Sequence, residues 1–336
     1  NIKVHYLYLD FNSFIYNAIH SFPNNEIYDF SVEEQVIEYE KKLVQLVIKE
    51  TIRLSTKIVK PSKLLYIAID GPAPLAKMVE QRERRYMKPV LRQLLKNKDP
   101  SLVIEGSSYD TNNITPGTRL MTLLNIEFEK AIADKKFKDV AVVFDGSNIA
   151  GEAEHKYLKI MDGLIDDPKE NHVVFSGDGD VIFLSLKYPK KNIFIMQTVA
   201  NSHALKNFFP PSQEFAYLDV KKLGESYYDI YGRTQFGGRN LSNNEKMLMK
   251  TLLKNTECSL NNIQVVDDKR PFLVDFVFLS FLEGNDFTRP IYFLNFNQDK
   301  MRTLLGIYRF QKKMSNDSNF TLINKDMTIN QTFLLN

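Results

Sequence analysis

The chain contains one cysteine and no tryptophan among its 336 residues. The single cysteine, Cys258, excludes an internal disulfide and a cysteine-rich zinc site. The five histidines show no metal-ligand spacing, so a zinc enzyme is not expected. No stretch approaches the roughly 20 apolar residues of a membrane span, and the first residues do not resemble a secretory or transit signal. We therefore expect an intracellular protein, with the cytoplasm as the first choice and the nucleus or a viral particle as alternatives.

The charge of the chain is nearly balanced, because 44 Lys and Arg face 41 Asp and Glu, for a formal net charge of +3. This balance alone is consistent with a mildly basic enzyme that has scattered lysines. When the seven acids described below are set aside, however, the remainder carries an excess of roughly ten positive charges, as a polyanion-binding surface would require. The length allows one elaborated α/β domain or two closely fused lobes.

Short buried strands alternate with amphipathic helices along most of the chain. This pattern predicts an α/β fold with a mainly parallel twisted sheet flanked by helices. The predicted strands are HYLYLD, KLLYIAID, VAVVFD, HVVFS, NIFIMQ and EFAYLDV. The predicted helices include 32–56 with Ser31 as its N-cap, the very basic segment 75–98, and residues 244–255 and 271–283.

We predict three segments along the chain. Residues 1–230 form the α/β core that carries the functional site, and residues 231–312 form a helical segment that completes the site through Asp286. Residues 313–336 form a polar C-terminal tail that is expected to pack loosely. The segment GRTQFGGRNLSNN is the candidate flexible connection, because it is rich in Gly, Asn and Ser.

Seven carboxylates lie at predicted strand ends or helix starts, each within a short sequence motif. They are Asp10 in YLYLD, Asp70 in LYIAID, Glu152 and Glu154 in GEAEHK, Asp178 and Asp180 in SGDGD, and Asp286 in GNDF. Acids at the carboxyl ends of parallel strands meet at one edge of a sheet, where they repel each other unless cations neutralise them. An oxygen-only pocket suits Mg²⁺ or Mn²⁺, and its usual chemistry is two-metal hydrolysis of a phosphodiester. Each motif alone also has an ordinary interpretation, such as an acidic turn or a favourable helix start.

Three neighbouring features refine this hypothesis. The glycines of SGDGD permit a tight turn that directs both Asp carboxylates to one point. His155 is interpreted as anchoring a turn or packing, in preference to acting as a base. Asp275 lies in the apolar phrase FLVDFVF, where a carboxylate needs a partner. A hydrogen-bonded structural role is favoured for Asp275 over a supporting role beside the site.

The basic segment after Asp70 contains a candidate phosphate-binding face. Helical spacing places Lys77, Gln81, Arg84 and Arg85 on one side of the helix. Arginine binds phosphate through two parallel hydrogen bonds, so this group would grip a terminal phosphate. The alternative is a solvated charged helix. Tyr16, about two turns after Asp10, is either a base-stacking residue or a core residue.

These motifs, in this order, resemble those of the XRN family of 5′→3′ exoribonucleases, within the wider flap-endonuclease-like (PIN-like) nuclease superfamily. The most specific matches are DGPAPLAKMVEQRERRY and DFVFLSFLEGNDF, and the resemblance covers residues 6–290. It implies that the seven acids are catalytic ligands of two Mg²⁺ (or Mn²⁺) ions, and that Lys77, Gln81, Arg84 and Arg85 bind a 5′-monophosphate. It further implies processive degradation of single-stranded RNA to mononucleotides.

The chain also departs from the family pattern. Tyr16 stands where the family usually has a stacking His, and Ala153 replaces a usual Gly. Family members continue beyond the GNDF segment and supply a stacking Trp, which this chain lacks. Two explanations stay open: a minimal, divergent member, or an RNA channel that a protein partner completes. Two rival functions also stay open, namely a structure-specific flap endonuclease acting on DNA and a catalytically silent RNA-binding subunit.

Overall fold

A computed structural model describes residues 2–22, 27–99, 106, 108–138, 140–201, 203–232, 269–285, 287–291, 300–315 and 320–335. The chain divides into two compact units, Asn1–Val181 with Lys190–Asp219 and Ile182–Pro189 with Val220–Asn336. The predicted three-segment division stays a prediction, since residues 233–268 around its first boundary lie outside the described residues. The predicted helix 244–255 and the candidate ligand Asp286 lie outside them as well.

The first unit is built on a six-stranded sheet with the strand order β3-β2-β1-β4-β5-β6. The strands are β1 Tyr6–Asp10, β2 Leu64–Ala68, β3 Ala141–Asp145, β4 Asn171–Phe175, β5 Asn192–Thr198 and β6 Phe215–Asp219. In this sheet, strands β1 to β5 run parallel to one another, and β6 pairs antiparallel with β5. The predicted α/β fold with a mainly parallel sheet is therefore confirmed. In the register of the central strands, Asp10 lies opposite Ala68, at the carboxyl ends of β1 and β2.

Helices connect and flank these strands. They are α1 Phe11–His20, α2 Glu33–Arg53, α3 Leu75–Lys98, α4 Arg119–Ala133, α5 Ala153–Gly163, α6 Asp180–Leu186, α7 His203–Lys206, α8 Val220–Tyr227, α9 Lys269–Phe281, α10 Lys300–Ser315 and α11 Gln331–Leu335. The predicted cap of α2 is wrong, because Val32 occupies the N-cap position and Ser31 instead donates its hydroxyl to Asp29 at 2.5 Å. Among the described helices, none has the length and apolar character needed to cross a membrane.

One face of the sheet carries the aliphatic core. Alternate residues of a strand point to opposite faces, so Leu7 and Leu9 of β1 lie on the same side, together with Leu65 and Ile67 of β2. Apolar residues of α1, α2 and α4 belong to the same buried cluster. Burying each such side chain contributes about 1.5–3 kcal/mol, so this face anchors the strands whose ends carry the candidate acids.

The opposite face of the sheet is aromatic and polar. Tyr8 of β1 packs 5.7 Å from Tyr157 of α5, measured between ring centroids, and 6.0 Å from His172 of β4. A hydrogen bond of 3.1 Å links the Tyr8 hydroxyl and His172 Nδ1. Helix α5, which begins next to Glu152, is therefore packed against the central strands, and its N-terminus is held at the carboxyl edge of the sheet.

The second unit contains a buried carboxylate, Asp275 of α9. It accepts hydrogen bonds from the Tyr308 hydroxyl at 2.8 Å, from Leu322 N at 3.0 Å and from Ile323 N at 2.8 Å. These contacts give Asp275 a hydrogen-bonded structural role. Leu322, Ile323 and Phe333 are buried, whereas residues 324–329 are exposed, so loose packing of the tail as a whole stays a prediction. The polar composition of the tail gave no sign that an acid elsewhere in the chain fixes its backbone.

Candidate active site

Asp10 forms the centre of an acidic cluster at the carboxyl edge of the sheet. It is the last residue of β1 and is buried, and its Oδ2 accepts a hydrogen bond from Ser176 Oγ at 2.6 Å. Ser176 directly follows β4, which pairs with β1. Two adjacent parallel strands therefore end together, and the serine fixes the orientation of the Asp10 carboxylate.

Asp70 lies two residues beyond the end of β2 and joins three elements. Its Oδ1 accepts a hydrogen bond from Ala153 N at 2.8 Å, at the N-terminus of α5. Its Oδ2 accepts a second bond from Asn12 Nδ2 at 2.7 Å, at the start of α1. A carboxylate at a helix N-terminus is stabilised by the free N–H groups and by the helix dipole. Asp70 is thereby fixed beside Asp10.

Gly71 explains why the backbone after β2 can approach α5 so closely. A Cβ atom on Gly71 would lie 1.6 Å from the Ile149 carbonyl oxygen. The close approach is held by two backbone hydrogen bonds, from Gly71 N to Gly151 O at 2.9 Å and from Gly151 N to Pro72 O at 3.0 Å. Only glycine fits here, and the fit brings Asp70 next to the loop that leads to Glu152.

Glu152 and Glu154 lie at the start of α5. One ligand atom from each of Glu152, Glu154 and His155 can be chosen so that all three lie within 4.8 Å of one another. Glu152 is buried, and its Oε1 lies 3.3 Å from Lys77 Nζ of α3. That oxygen accepts no hydrogen bond within the described part of the chain.

Asp178 and Asp180 follow β4 in the SGDGD turn. Asp178 N donates to Ser176 Oγ at 3.0 Å, and Asp180 N donates to Asp178 Oδ1 at 3.1 Å. Neither Gly177 nor Gly179 is among the glycines with positive φ. The expected role of the glycines stays a prediction, and side-chain to backbone hydrogen bonds contribute to this turn. Asp180 is the first residue of α6.

Electrostatic effects show that the acids of the cluster influence one another. Burial raises the pKa of Asp10 to about 7, and the negative charges of Asp70, Asp178 and Glu152 add to the rise against the hydrogen bond from Ser176. The structure thus brings Asp10 close to Asp70, Asp178 and Glu152. The cluster favours either bound protons or bound cations, because so many like charges in a buried site disfavour full ionisation.

Two further acids of the cluster behave in the same way. Burial raises the pKa of Asp70, against the hydrogen bond from Ala153 N and the positive charges of Lys156 and Lys77. Burial also raises the pKa of Glu154, and a hydrogen bond with Glu152 adds to this rise. The negative charge of Glu152 adds to the rise at Asp70, and the charges of Asp10 and Glu152 add to the rise at Glu154, so the repulsion involves Asp10, Asp70, Glu152 and Glu154.

The predicted phosphate-binding face lies on α3, where Lys77 alone is buried. Arg84 pairs with Glu80 at 3.0 Å, and Arg85 Nη2 donates to Gln81 Oε1 at 3.0 Å, so both guanidiniums contact their own helix. The remainder of α3 is largely exposed, as the alternative of a solvated helix predicts.

Tyr16 of α1 is influenced by charges of both the acidic cluster and α3. Its side chain is 38% exposed, so the core-packing interpretation is wrong. Burial raises the pKa of Tyr16, while the positive charges of Arg84 and Arg85 oppose this and the negative charge of Asp70 adds to it. The pKa of Tyr16 therefore depends on both the arginines of α3 and the acid Asp70.

Sequence reasoning missed the residues that hold the acids in place. Asn12 and Ser176 bind acids directly, and Lys156 is buried with its Nζ 2.6 Å from Ile69 O and 3.2 Å from Gly146 O. The available signal was local: each of the three lies within two residues of a candidate acid in the sequence.

Comparison with known proteins identifies the family of this nuclease-like arrangement. The family model described as "XRN 5'-3' exonuclease N-terminus" matches residues 1–199, more than half of the chain. The chain belongs to this family.

Curated relatives extend over most of the chain. The "5'-3' exoribonuclease 1" of Saccharomyces cerevisiae is 27% identical over 90% of this chain and 18% of the relative. The human "5'-3' exoribonuclease 1" is 27% identical over 90% of this chain and 17% of the relative. The "5'-3' exoribonuclease 2" of Arabidopsis thaliana is 26% identical over 93% of this chain and 33% of the relative. The chain thus spans between a sixth and a third of the length of these relatives.

Among solved structures, the catalytic core of Rad2 in complex with a DNA substrate matches with a TM-score of 0.38 and 11% sequence identity. The match covers 94% of this chain and 66% of that one.

Proposed function

We propose that the chain is a metal-dependent 5′→3′ exoribonuclease that degrades 5′-monophosphorylated single-stranded RNA to mononucleotides. The observation that carries this proposal is the buried acidic cluster around Asp10, which adjoins a helix whose buried Lys77 reaches the cluster. Family membership supports the reaction class, and the relatives are named as 5'-3' exoribonucleases.

The donor set of the cluster fits divalent cations. It offers carboxylate oxygens, which Mg²⁺ and Mn²⁺ prefer, and the buried Glu152 Oε1 accepts no hydrogen bond from the described residues. The residues that would hold two such ions are Asp10, Asp70, Glu152, Glu154, Asp178, Asp180 and Asp286. When bound, such ions lower the pKa of a coordinated water and stabilise the charge on the leaving oxygen.

The residues of the chain would bind and orient the substrate. Lys77, Gln81, Arg84 and Arg85 hold the terminal phosphate, because ammonium, amide and guanidinium groups all donate hydrogen bonds to phosphate oxygens. Tyr16 offers an exposed ring on which the first base stacks. No protein side chain needs to act as a general base in this scheme.

A nuclease assay with three RNA ends tests the proposal. RNA with a 5′-monophosphate should be degraded much faster than RNA with a 5′-hydroxyl or a 5′-triphosphate. Arg84→Met should reduce this preference, whereas Arg92→Met, two turns further along α3, serves as the matched control. Equal cleavage of the three RNAs would refute the phosphate assignment.

The metal assignment has a separate test. Asp178→Ala should abolish hydrolysis, while Asp134→Ala removes an exposed acid at the end of α4 and should leave the rate unchanged. Full activity of Asp178→Ala would contradict the metal site. Internal cutting of a flapped DNA duplex would favour the flap-endonuclease alternative, and RNA binding without turnover in Mg²⁺ and Mn²⁺ would favour the silent subunit. A protein partner that completes the RNA channel and an intracellular location stay predictions.

A further inference from the structure

An ion pair links the two halves of the proposed site. Lys77 belongs to the face proposed to bind the 5′-phosphate, and Glu152 belongs to the acidic cluster. Lys77 Nζ nevertheless lies 3.3 Å from Glu152 Oε1, and both side chains are buried. Water screens a buried pair poorly, so this attraction is stronger than that of an exposed ion pair.

The Glu152 carboxylate, besides pairing with Lys77, is suited to bind a metal cation. Glu152 Oε1 accepts no hydrogen bond within the described residues, although Lys77 lies at ion-pair distance. The same oxygen could therefore serve a cation bound by the neighbouring acids. A divalent ion at Glu152 would also repel the adjacent ammonium group, because both carry positive charge.

The arginines of α3 are in a different position. Arg84 contacts Glu80 and Arg85 contacts Gln81, all on their own helix. Lys77 is the buried member of the face, and its charge acts on Asp70 as well as on Glu152. Lys77 is thus the residue that would couple cation binding at the acidic cluster to phosphate binding on α3.

We propose that Lys77 and a divalent cation compete for Glu152, so that cation binding releases Lys77 from Glu152 to hold the terminal phosphate of RNA. This inference rests on the proposed function and deepens it, since selectivity for a 5′-phosphate then becomes a property of the cation-loaded protein. Linkage is reciprocal, so a phosphorylated RNA end must raise cation affinity by the same factor.

The first test measures Mn²⁺ binding to the full chain without RNA, by titration calorimetry. Lys77→Met removes the competitor, so this variant should bind Mn²⁺ about fivefold or more tightly than the wild type. Arg92→Met, the matched control, should bind within about twofold of the wild type, because Arg92 is an exposed residue of the same helix, two turns beyond Arg84. Unchanged or weaker Mn²⁺ binding by Lys77→Met would overturn the inference. Absence of Mn²⁺ binding by the wild type would instead refute the proposed metal site.

The second test measures RNA binding, with 5′-phosphate and 5′-hydroxyl oligonucleotides compared in Ca²⁺ and in EDTA and their integrity checked on a gel. For the wild type, Ca²⁺ should raise the preference for the phosphorylated end by about fivefold or more. Glu152→Gln removes the charge that holds Lys77, so its preference should be the same in Ca²⁺ and EDTA. The inference of competition would be overturned if Ca²⁺ did not change the preference of the wild type, or if Ca²⁺ changed the preference of Glu152→Gln as much as that of the wild type. Circular dichroism of each variant verifies the fold.

Discussion

Lys156 offers the sharpest test of how the acidic cluster is held together. Its buried ammonium group donates to Ile69 O and Gly146 O, at the ends of β2 and β3. Lys156→Met keeps most of the apolar stem but leaves two buried carbonyls without this donor, at a cost of about 1–3 kcal/mol each. Burial lowers the pKa of Lys156, so the variant also avoids burying a charge. The net loss in the free energy of unfolding should be about 3 kcal/mol.

Urea unfolding at pH 7, followed by far-UV circular dichroism, measures this loss. Lys159→Met is the matched control, because Lys159 lies on the same helix but is exposed, and it should change the free energy of unfolding by less than about 0.5 kcal/mol. A Lys156→Met variant within about 1 kcal/mol of the wild type would show that these two hydrogen bonds do not organise the strand ends.

Three further perturbations probe the same unit. The pKa of Asp10 is about 7 in the folded protein and 3.8 in the unfolded chain, so the ionised carboxylate lowers the free energy of unfolding as the pH rises through this range. Asp10→Asn removes this charge and should therefore stabilise the protein in EDTA at pH 8, by up to roughly 4 kcal/mol. His172 is the opposite case: burial lowers its pKa to about 4, so the free energy of unfolding should fall by up to roughly 3 kcal/mol as the pH drops from 6.5 to 4. Gly71→Ala should destabilise the protein by about 3 kcal/mol or more in urea unfolding, since its Cβ would meet the Ile149 carbonyl.

Each of these predictions has its own control. Asp134→Asn, at an exposed acid, should not change stability in EDTA. His172→Gln should lose the pH dependence between 6.5 and 4, whereas His20→Gln, at an exposed histidine, should keep it. Gly163→Ala adds a Cβ that meets nothing within 4 Å, so it should be tolerated. Equal effects of the paired glycine substitutions, or no change in stability with Asp10→Asn, would contradict the packing and repulsion described here.

The fold was predictable because its strands are short apolar runs separated by helical patterns. A buried parallel strand needs no alternation, so YLYLD and LLYIA were recognisable from composition and length. The positions of Asp10 and Asp70 followed from this, since residues at the carboxyl ends of neighbouring parallel strands must be close. These predictions depend on local sequence and on one rule of topology.

The remaining features depend on long-range contacts that no local pattern encodes. The pairing of Lys77 with Glu152 requires α3 to approach the start of α5, and the two residues lie far apart in the sequence. The effect of the Arg84 and Arg85 charges on the pKa of Tyr16 likewise depends on residues far from Tyr16 in the sequence. In each case the sequence did not reveal which distant residue is the interaction partner, although it did indicate the local helix or strand.

The anchoring of residues 322 and 323 on Asp275 constrains how the second unit can change during evolution or engineering. The carboxylate has no access to water, so it depends on donors from a segment that lies 47 or 48 positions away in the chain. A deletion, fusion or circular permutation that detaches this segment would strand a charge in an apolar interior, where an orphaned ion costs several kcal/mol. Asp275 and the segment that binds it must therefore be inherited, transplanted or redesigned together.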